Sequence, residues 1–392
     1  MDHPTPEQLT SAVAAARASL MPFDPDAAND AAVLSGRVRD DHFAWKRGAD
    51  EDAVRAVLER LKLADPRPYA PPAEPFPRAR MFPARALAWE RVEALGDAGA
   101  LPVVGVHHSQ GGVGSKGTYF LCVAPEDEVA VLKEAPLDFA TEVMGAALCR
   151  RAGALRAPRY RRLSRAEFGA LTERLRDAPV TVAGTCGALH ESRAQGAGAA
   201  LMELMSGVPL PEVGAGLAQT DAFLRDLGAV IAVDMLINNF DRTPLVWTHR
   251  GNASNLLVDE AGCSAIDQAV TPILDAANEA KYVAKIRECL AEARAAAATT
   301  TGTAGPFAKR LIGFVADASG AELSLAHTRA VFQSLVETAA AIKADAPALV
   351  GAAASEAEAA MRAGLSDAEL GGVRDALARA KAFCARVAAN AL

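Results

Sequence analysis

The sequence predicts an α+β fold of two lobes, a small β-rich lobe at about residues 84–206 and a larger, mainly helical lobe at 207–392. Three runs near the start of this region, LPVVGVHH, GTYFLCVA and EVAVLKE, are rich in β-branched and aromatic residues and predict an antiparallel meander. After Gly207 the apolar residues recur mainly at helical spacing. Residues 1–83 form an extension, with helical patterns at 6–20 and 51–63 and a proline-crowded arm from residue 64.

The composition excludes several classes of protein. The net charge is −7 and the Lys and Arg residues are scattered, so no basic surface for nucleic acid is indicated. No apolar run reaches the roughly 18 residues that a membrane span needs, and the amino terminus has no apolar core of a signal peptide. The six cysteines are dispersed singly, which favours reduced thiols. We therefore expect a cytoplasmic protein with no nucleic-acid or membrane partner.

Within the two lobes, shorter elements are predicted. Helical spacing indicates helices at about 87–95 and 138–151, and alanine-rich helical patterns dominate from about residue 275. Three short strands are predicted between residues 245 and 270, in LVWTH, SNLLVDE and SAIDQAV.

A glycine-rich segment, QGGVGSKGTYF, separates the first two predicted strands. Glycine lets backbone amides approach phosphate oxygens without a Cβ in the way, and serine and lysine side chains add donors. The order GxxxxGK[ST] is missing and a strand follows, so a glycine-rich hairpin over a nucleotide fits better than a P-loop. An ordinary flexible hairpin is the alternative. The candidate phosphate-binding residues are Gly111, Gly112, Gly114, Ser115, Lys116 and Gly117.

Lys133 ends the apolar strand VAVLKE, where a cation is costly to bury without a partner. Glu142, on the next predicted helix, shares the inward face with Phe139 and Ala146. A lysine paired with a helix glutamate is the arrangement by which kinases hold nucleotide phosphates. The alternative is that the lysine extends to the surface and the glutamate is a solvated helix charge.

Three polar residues stand beside apolar segments between residues 232 and 270. Asp241 follows a long helix in NNFDR, Asn255 directly precedes the strand LLV, and Asp267 ends a strand in AIDQ. Phosphoryl transfer needs a carboxylate that orients the attacking hydroxyl and oxygen ligands for Mg²⁺. These three residues supply both, and a hairpin of SNLLVDE and SAIDQAV around 260–262 is predicted to bring the Asn255 and Asp267 side chains to one Mg²⁺ site.

The motifs DMLINNFDR, GNASNLL and IDQ resemble the catalytic segment of actin-fragmin kinases, which have an atypical protein-kinase-like fold. A tryptophan-containing insertion between the catalytic aspartate and the metal-binding asparagine is a further likeness, here with Trp247. The similarity covers roughly residues 103–294 and is strongest at 234–268. The HRDxxxxN and DFG motifs of ordinary protein kinases are absent, because Asp241 and Asn255 are 14 positions apart and Gln268 stands where Phe would.

The resemblance implies a role for each of these residues. Asp241 corresponds to the catalytic base, Asn255 and Asp267 to the Mg²⁺ ligands, and Lys133 and Glu142 to the phosphate-holding pair. The segment ALMELMSG resembles the hinge between kinase lobes, where backbone groups of Glu203 to Met205 would bond adenine, although a plain core strand is the alternative.

The implied activity is that of an atypical Ser/Thr protein kinase using ATP and Mg²⁺. The substrate the resemblance suggests is actin or actin bound to a severing protein, but the kelch repeats found in some family members are lacking. A catalytically inactive interaction module and a lipid or small-molecule kinase are the alternatives. Asp234 lies on the buried stripe of its helix, and we expect it to brace the catalytic loop through a hydrogen bond rather than to take part in chemistry.

Overall fold

The structure is a computed structural model. It describes residues 85–95, 103–108, 118–123, 128–153, 155–176, 180–181, 198–247, 251–298 and 304–392. The predicted helices at 6–20 and 51–63, the proline-rich arm and the glycine-rich segment at 111–117 lie outside these ranges. The α+β class is confirmed, whereas the division into lobes at 84–206 and 207–392 stays a prediction.

The larger sheet has seven strands in the order β5-β7-β4-β3-β2-β6, with β1 paired parallel to β4. The predicted meander is confirmed, because β2 pairs antiparallel with β3 and β3 with β4. The strands are β1 (Arg85–Ala86), β2 (Val103–His108), β3 (Thr118–Val123), β4 (Glu128–Glu134), β5 (Tyr160–Arg162), β6 (Val180–Thr181) and β7 (Ala199–Met202).

Alternation along the strands gives this sheet two different faces. Leu121, Leu132 and Leu201 are fully buried in a core that also contains residues of helices α1 (Trp89–Ala94) and α3 (Arg165–Arg176). Successive strand residues point to opposite faces. Lys133 therefore points away from this core, toward helix α2 (Ala140–Ala152), which follows β4.

The helical part contains five helices in the described chain: α4 (Asp221–Ile237), α5 (Ala276–Ala298), α6 (Pro306–Ser319), α7 (Leu325–Met361) and α8 (Asp367–Asn390). Side-chain caps define several starts. Thr220 accepts from the Phe223 amide before α4, and Ser324 and Ser366 form capping boxes before α7 and α8. Helix α7 is kinked near Pro347, where Asp345 has non-helical angles.

The smaller sheet has three strands in the order β10-β9-β8: β8 (Val208–Pro209), β9 (Leu256–Asp259) and β10 (Gly262–Ala265). The predicted antiparallel hairpin is present, with Gly262 paired to Asp259 across the turn. Gly262 has φ +125°, which a residue with a Cβ rarely adopts.

The prediction of a strand in LVWTH is wrong for residues 245–247, the part of this segment that the structure describes. Residues 244–247 form bends, although Leu245, Val246 and Trp247 are buried. The Trp247 indole donates to Asn238 Oδ1 at 2.9 Å and stacks on Tyr282 with ring centroids 5.5 Å apart. These residues fill the core as side chains beside α4 and α5 and have no strand partner, which their apolar pattern alone does not reveal.

Two further features concern the cysteines and the helices of the described residues. The described cysteines that the structure places in the core are free thiols: Cys149, Cys263, Cys289 and Cys384. In the parts of the chain that the structure describes, no helix combines the length and apolar character needed to cross a bilayer.

Helix α2 packs directly on the segment that follows β10. A Cβ at Gly145 would lie 1.6 Å from the backbone oxygen of Gln268. The Val270 amide donates to the Thr141 carbonyl at 3.1 Å. The helix and this segment therefore have one fixed spacing, which only a glycine at position 145 permits.

Gly145→Ala tests this close approach. We expect the added methyl to displace α2 or the 268 segment and to lower the free energy of unfolding by about 1–3 kcal/mol, the usual cost of overpacking. Gly313→Ala in α6 is the matched control, since no heavy atom lies within 4 Å of its Cβ position. The control should be neutral or more stable by up to about 1 kcal/mol. Urea unfolding of both variants measures the difference, and equal stabilities would contradict the close approach.

Candidate active site

The ammonium of Lys133 lies between two carboxylates. Its Nζ is 2.7 Å from Glu142 Oε1 and 2.6 Å from Asp267 Oδ1. The side chain of Lys133 is only 12% exposed, and that of Asp267 is 47% exposed. The predicted contact with Glu142 is present, and the contact with Asp267 joins the β4 end to the segment after β10.

The charge state of Lys133 follows from these contacts. Burial disfavours the ammonium form, but the neighbouring Glu142 and Asp267 carboxylates outweigh it and raise the lysine pKa above its usual value. The lysine is therefore a permanent cation in the neutral pH range.

Tyr160 on β5 fixes the glutamate from another direction. Its hydroxyl donates to Glu142 Oε1 at 2.9 Å, the same oxygen that contacts Lys133. The Tyr160 ring packs edge-on against Phe139, with centroids 5.4 Å apart. Tyr160 is not among the residues predicted from the sequence. Its position is set by the pairing of β5 with β7, which the sequence around Tyr160 does not indicate.

The segment that contains Asp241 begins at the carboxyl end of α4. Asn238 caps the helix with φ +52°, a left-handed conformation that asparagine tolerates. Asn239 then links two parts of the site. Its Oδ1 accepts from the Asp241 amide at 3.3 Å, and its Nδ2 donates to the Asp267 carbonyl at 3.3 Å.

The Asp241 carboxylate is held by two asparagine side chains. Its Oδ2 accepts from Asn252 Nδ2 at 3.3 Å and from Asn255 Nδ2 at 3.4 Å. Asp241 and Asn255 belong to one predicted site, and the structure brings their side chains into contact. Asn252 is not among the predicted site residues, and its side chain contacts the same carboxylate.

The β9–β10 hairpin brings Asn255 close to the Asp267 segment. Asn255 directly precedes β9, and its carbonyl accepts from the Ile266 amide at 3.1 Å. Strand β10 ends at Ala265, two residues earlier than the prediction that Asp267 ends it. Asp267 itself has φ +57°, so the chain turns at this residue instead of extending the strand.

Arg242 joins the Asp241 segment to the Asp267 segment from inside the core. This guanidinium is fully buried and donates to Asp234 Oδ1 at 2.6 Å, to the Ile266 carbonyl at 2.7 Å and to Gln268 Oε1 at 3.1 Å. The predicted bracing bond of Asp234 is thus present, and Arg242 is its donor. The sequence analysis did not select Arg242 or Gln268 as bracing residues.

Part of the chain is similar to a known protein family. Residues 106–279 match the family model of the actin-fragmin kinase catalytic domain. The match confirms the resemblance seen in the motifs, and it indicates a kinase-like phosphotransferase, with which the α+β fold is consistent. A comparison with curated proteins gave no match.

The actin-fragmin kinase match contains the residues selected for a metal ion, and their chemistry fits Mg²⁺. Asp267 offers carboxylate oxygens and Asn255 an amide oxygen, and Mg²⁺ prefers such hard donors. Within the described residues, no group of three or more His, Cys, Asp and Glu side chains forms a metal site. Two protein ligands would suffice for Mg²⁺, which usually keeps several waters and phosphate oxygens, and the metal site stays a prediction.

The predicted hinge residues lie directly after β7. The Glu203 amide donates to the Arg159 carbonyl at 2.9 Å, and the Glu203 carboxylate pairs with the Arg159 guanidinium at 2.9 Å. The Glu203 side chain therefore holds the hinge segment against the chain that enters β5. Binding of adenine by the Glu203 and Met205 backbone stays a prediction.

The glycine-rich segment falls outside the described residues at all of its selected positions: Gly111, Gly112, Gly114, Ser115, Lys116 and Gly117. The strands on either side are described, and His108 on β2 pairs with Tyr119 on β3. A role in phosphate binding stays a prediction.

Removing the buried Arg242 guanidinium tests how the two segments are held. We expect Arg242→Met to lower the free energy of unfolding by about 3–5 kcal/mol, because the buried Asp234 carboxyl, whose pKa burial raises to about 7, loses its cationic partner. The double variant Asp234→Asn/Arg242→Met should be more stable than Arg242→Met alone. Urea unfolding measures all three proteins, and a single variant as stable as the wild type would contradict the bracing role.

Proposed function

We propose that this chain is an atypical Ser/Thr protein kinase that uses ATP and Mg²⁺. The observation that supports this most is the contact of Lys133 with both Glu142 and Asp267, beside the Asp241–Asn255 pair. Phosphoryl transfer depends mainly on positioning and on neutralising charge, and a fixed cation next to acidic and amide oxygens supplies both.

In this proposal Lys133 binds the nucleotide phosphates. A permanent, largely buried cation interacts with anionic oxygens more strongly than a solvated one. Glu142 and Tyr160 hold the ammonium at a fixed point, so that it needs little reorganisation when phosphate arrives. The glycine-rich segment at 111–117 would bond the phosphates. The backbone of Glu203 and Met205 would bond the adenine.

Asp241 is proposed as the catalytic base. The amides of Asn252 and Asn255 hold its Oδ2, and the other oxygen of the same carboxylate would orient the acceptor hydroxyl and take its proton. The amide bonds fix the carboxylate plane, and such fixed geometry favours attack on the γ-phosphate.

Asn255 and Asp267 would hold Mg²⁺ beside the base. When bound, this ion would supply positive charge that offsets the charge developing on the phosphate oxygens. Lys133 is the counter-ion of Asp267 in this structure. Asn239 fixes the backbone of both Asp241 and Asp267 and thereby sets the spacing between base and metal ligand.

The proposed acceptor is a hydroxyl on a protein, in line with the kinase family match. We propose residues 84–206 and 207–392 as the two lobes, with ATP between them. Actin, or actin with a severing protein, is the substrate suggested by the family's description. An inactive interaction module is less well supported, because Lys133, Asp241, Asn255 and Asp267 are all present, with Lys133 in contact with Asp267 and Asp241 in contact with Asn255.

Asp241→Asn tests the catalytic base. The amide can keep the bonds from Asn252 and Asn255 through its oxygen but cannot accept the hydroxyl proton. We expect phosphoryl transfer from labelled ATP to a protein extract to fall by at least about 100-fold, with nucleotide binding nearly unchanged. Asp317→Asn, at an exposed position on α6, is the control. Full activity of Asp241→Asn would contradict the assignment, and an inactive wild type would favour the interaction module.

Asp267→Asn tests the metal ligand. Loss of one carboxylate should raise the Mg²⁺ concentration for half-maximal transfer by at least about tenfold. Glu260→Gln, exposed in the hairpin turn, should leave the Mg²⁺ dependence unchanged. A titration of activity against Mg²⁺ measures both. An Asp267→Asn titration that overlays the wild type would remove Asp267 from the metal site.

A further inference from the structure

The carboxyl end of α2 is held by a residue far along the chain. Glu356 on α7 contacts both Arg150 and Arg151, which occupy the last turn of α2. The Arg151 guanidinium donates to Glu356 Oε2 through Nη2 at 2.8 Å and Nε at 3.1 Å, and Arg150 donates to Oε1. One carboxylate therefore joins two consecutive arginines of the helix that contains Glu142.

The position of Glu356 is set by contacts elsewhere on α7. Before the kink at Asp345, Ser334 Oγ donates to the Arg225 carbonyl of α4 at 2.6 Å. A Cβ at Gly228 of α4 would lie 2.3 Å from the Val331 backbone oxygen, so α4 and α7 are in backbone contact. The second half of α7, which leaves the kink in a new direction, then reaches α2. Glu356 thus extends from a helix that is anchored on α4 as well as packed on α2.

Arg150 also binds the connector between α2 and β5. Its Nη1 donates to the Ala157 carbonyl at 3.3 Å and to the Pro158 carbonyl. The same connector contains Arg156, whose guanidinium pairs with Asp259 of β9 at 2.6 and 2.8 Å. The Glu356 carboxylate consequently meets α2 where the helix, the connector and the β9–β10 hairpin are joined.

We propose that Glu356 is a positioning residue for the phosphoryl transfer, fixing α2 so that Glu142 meets Lys133. This inference rests on the proposed function. The amino-terminal end of α2 is tied to the 268–270 segment through Thr141. Helix α2 is buried along most of its length and packs on α7, and the Glu356 bonds add a charged contact at its carboxyl end. The Glu142 carboxylate therefore keeps one position relative to the Lys133 ammonium.

The electrostatic state of Glu356 supports this role. Burial would raise its pKa, but the two arginines outweigh burial and lower the pKa below its usual value. The carboxylate is charged at neutral pH, and its bonds to Arg150 and Arg151 are charge-assisted.

Two glutamates of α7 provide a matched comparison. Glu358 lies two residues after Glu356 and pairs with Arg362 and with Arg374 of α8, away from α2. We expect Glu356→Gln to lower kcat/KM for ATP by about three- to tenfold, whereas Glu358→Gln changes it by less than about twofold. Arg151→Gln removes one of the two arginine contacts of Glu356 and should reproduce part of the Glu356→Gln loss.

A double-variant comparison separates positioning from general stability. If Glu356 acts through Glu142, the loss of ATP affinity caused by Glu356→Gln should shrink to less than about twofold in a Glu142→Gln background. A fluorescent ATP analogue measures this affinity. An equal loss in both backgrounds, or no difference between Glu356→Gln and Glu358→Gln, would overturn the proposal.

Hydrogen exchange distinguishes failure of this inference from failure of the proposed function. Amides of α2 should exchange at least about threefold faster in Glu356→Gln than in Glu358→Gln, because the carboxyl end of the helix is released. If Glu356→Gln speeds exchange in α2 but the wild type shows no phosphoryl transfer, the contact of Glu356 with α2 is supported and the proposed kinase activity is rejected. Unchanged exchange, with an active wild type, would reject the role of Glu356 and leave the kinase in place.

Discussion

The ammonium of Lys133 is the group on which the arrangement of the site depends. A buried cation must have anionic partners, and Lys133 has two, Glu142 on α2 and Asp267 after β10. These partners come from a helix and a loop that are 125 residues apart, as 267 minus 142 gives. The larger sheet, α2 and the β9–β10 hairpin must therefore take up one relative placement for the charge to be satisfied.

Backbone and side-chain contacts around this charge cluster fix the same placement. Gly145 lets α2 approach the Gln268 backbone, and Arg242 binds the residues on both sides of Asp267. The helices after residue 279 lie beyond the family match, yet α7 contacts both α4 and the end of α2. The carboxyl-terminal part of the chain thus belongs to the structure that supports the site.

Much of the fold and part of the site could be predicted, for identifiable physical reasons. The β2–β3–β4 meander and the β9–β10 hairpin are local pairings, so patterns of apolar residues and turns were sufficient. Lys133 and Glu142 are neighbours in sequence, and a buried lysine implies a nearby acid. The strand predicted in LVWTH failed because an apolar run fills a core equally well without pairing, as Trp247 does against Tyr282.

The contacts that sequence reasoning missed are long-range. Tyr160 reaches Glu142 only because β5 pairs with β7, and Arg242 reaches Gln268 only because the hairpin returns beside α4. Glu356 is separated from Arg150 by 206 positions, and nothing in either segment indicates the other. Such contacts depend on the whole topology, whereas single motifs depend on local chemistry.

The most direct test of the account is a crystal structure with Mg²⁺ and a non-hydrolysable ATP analogue. We expect phosphate density beside Lys133 Nζ, a metal ion bound by Asn255 and Asp267, and a retained Lys133–Glu142 contact. Asp241 should face the γ-phosphate. A nucleotide bound elsewhere on the chain, or no bound nucleotide at saturating concentration, would contradict the assignment of this cluster as a phosphotransfer site.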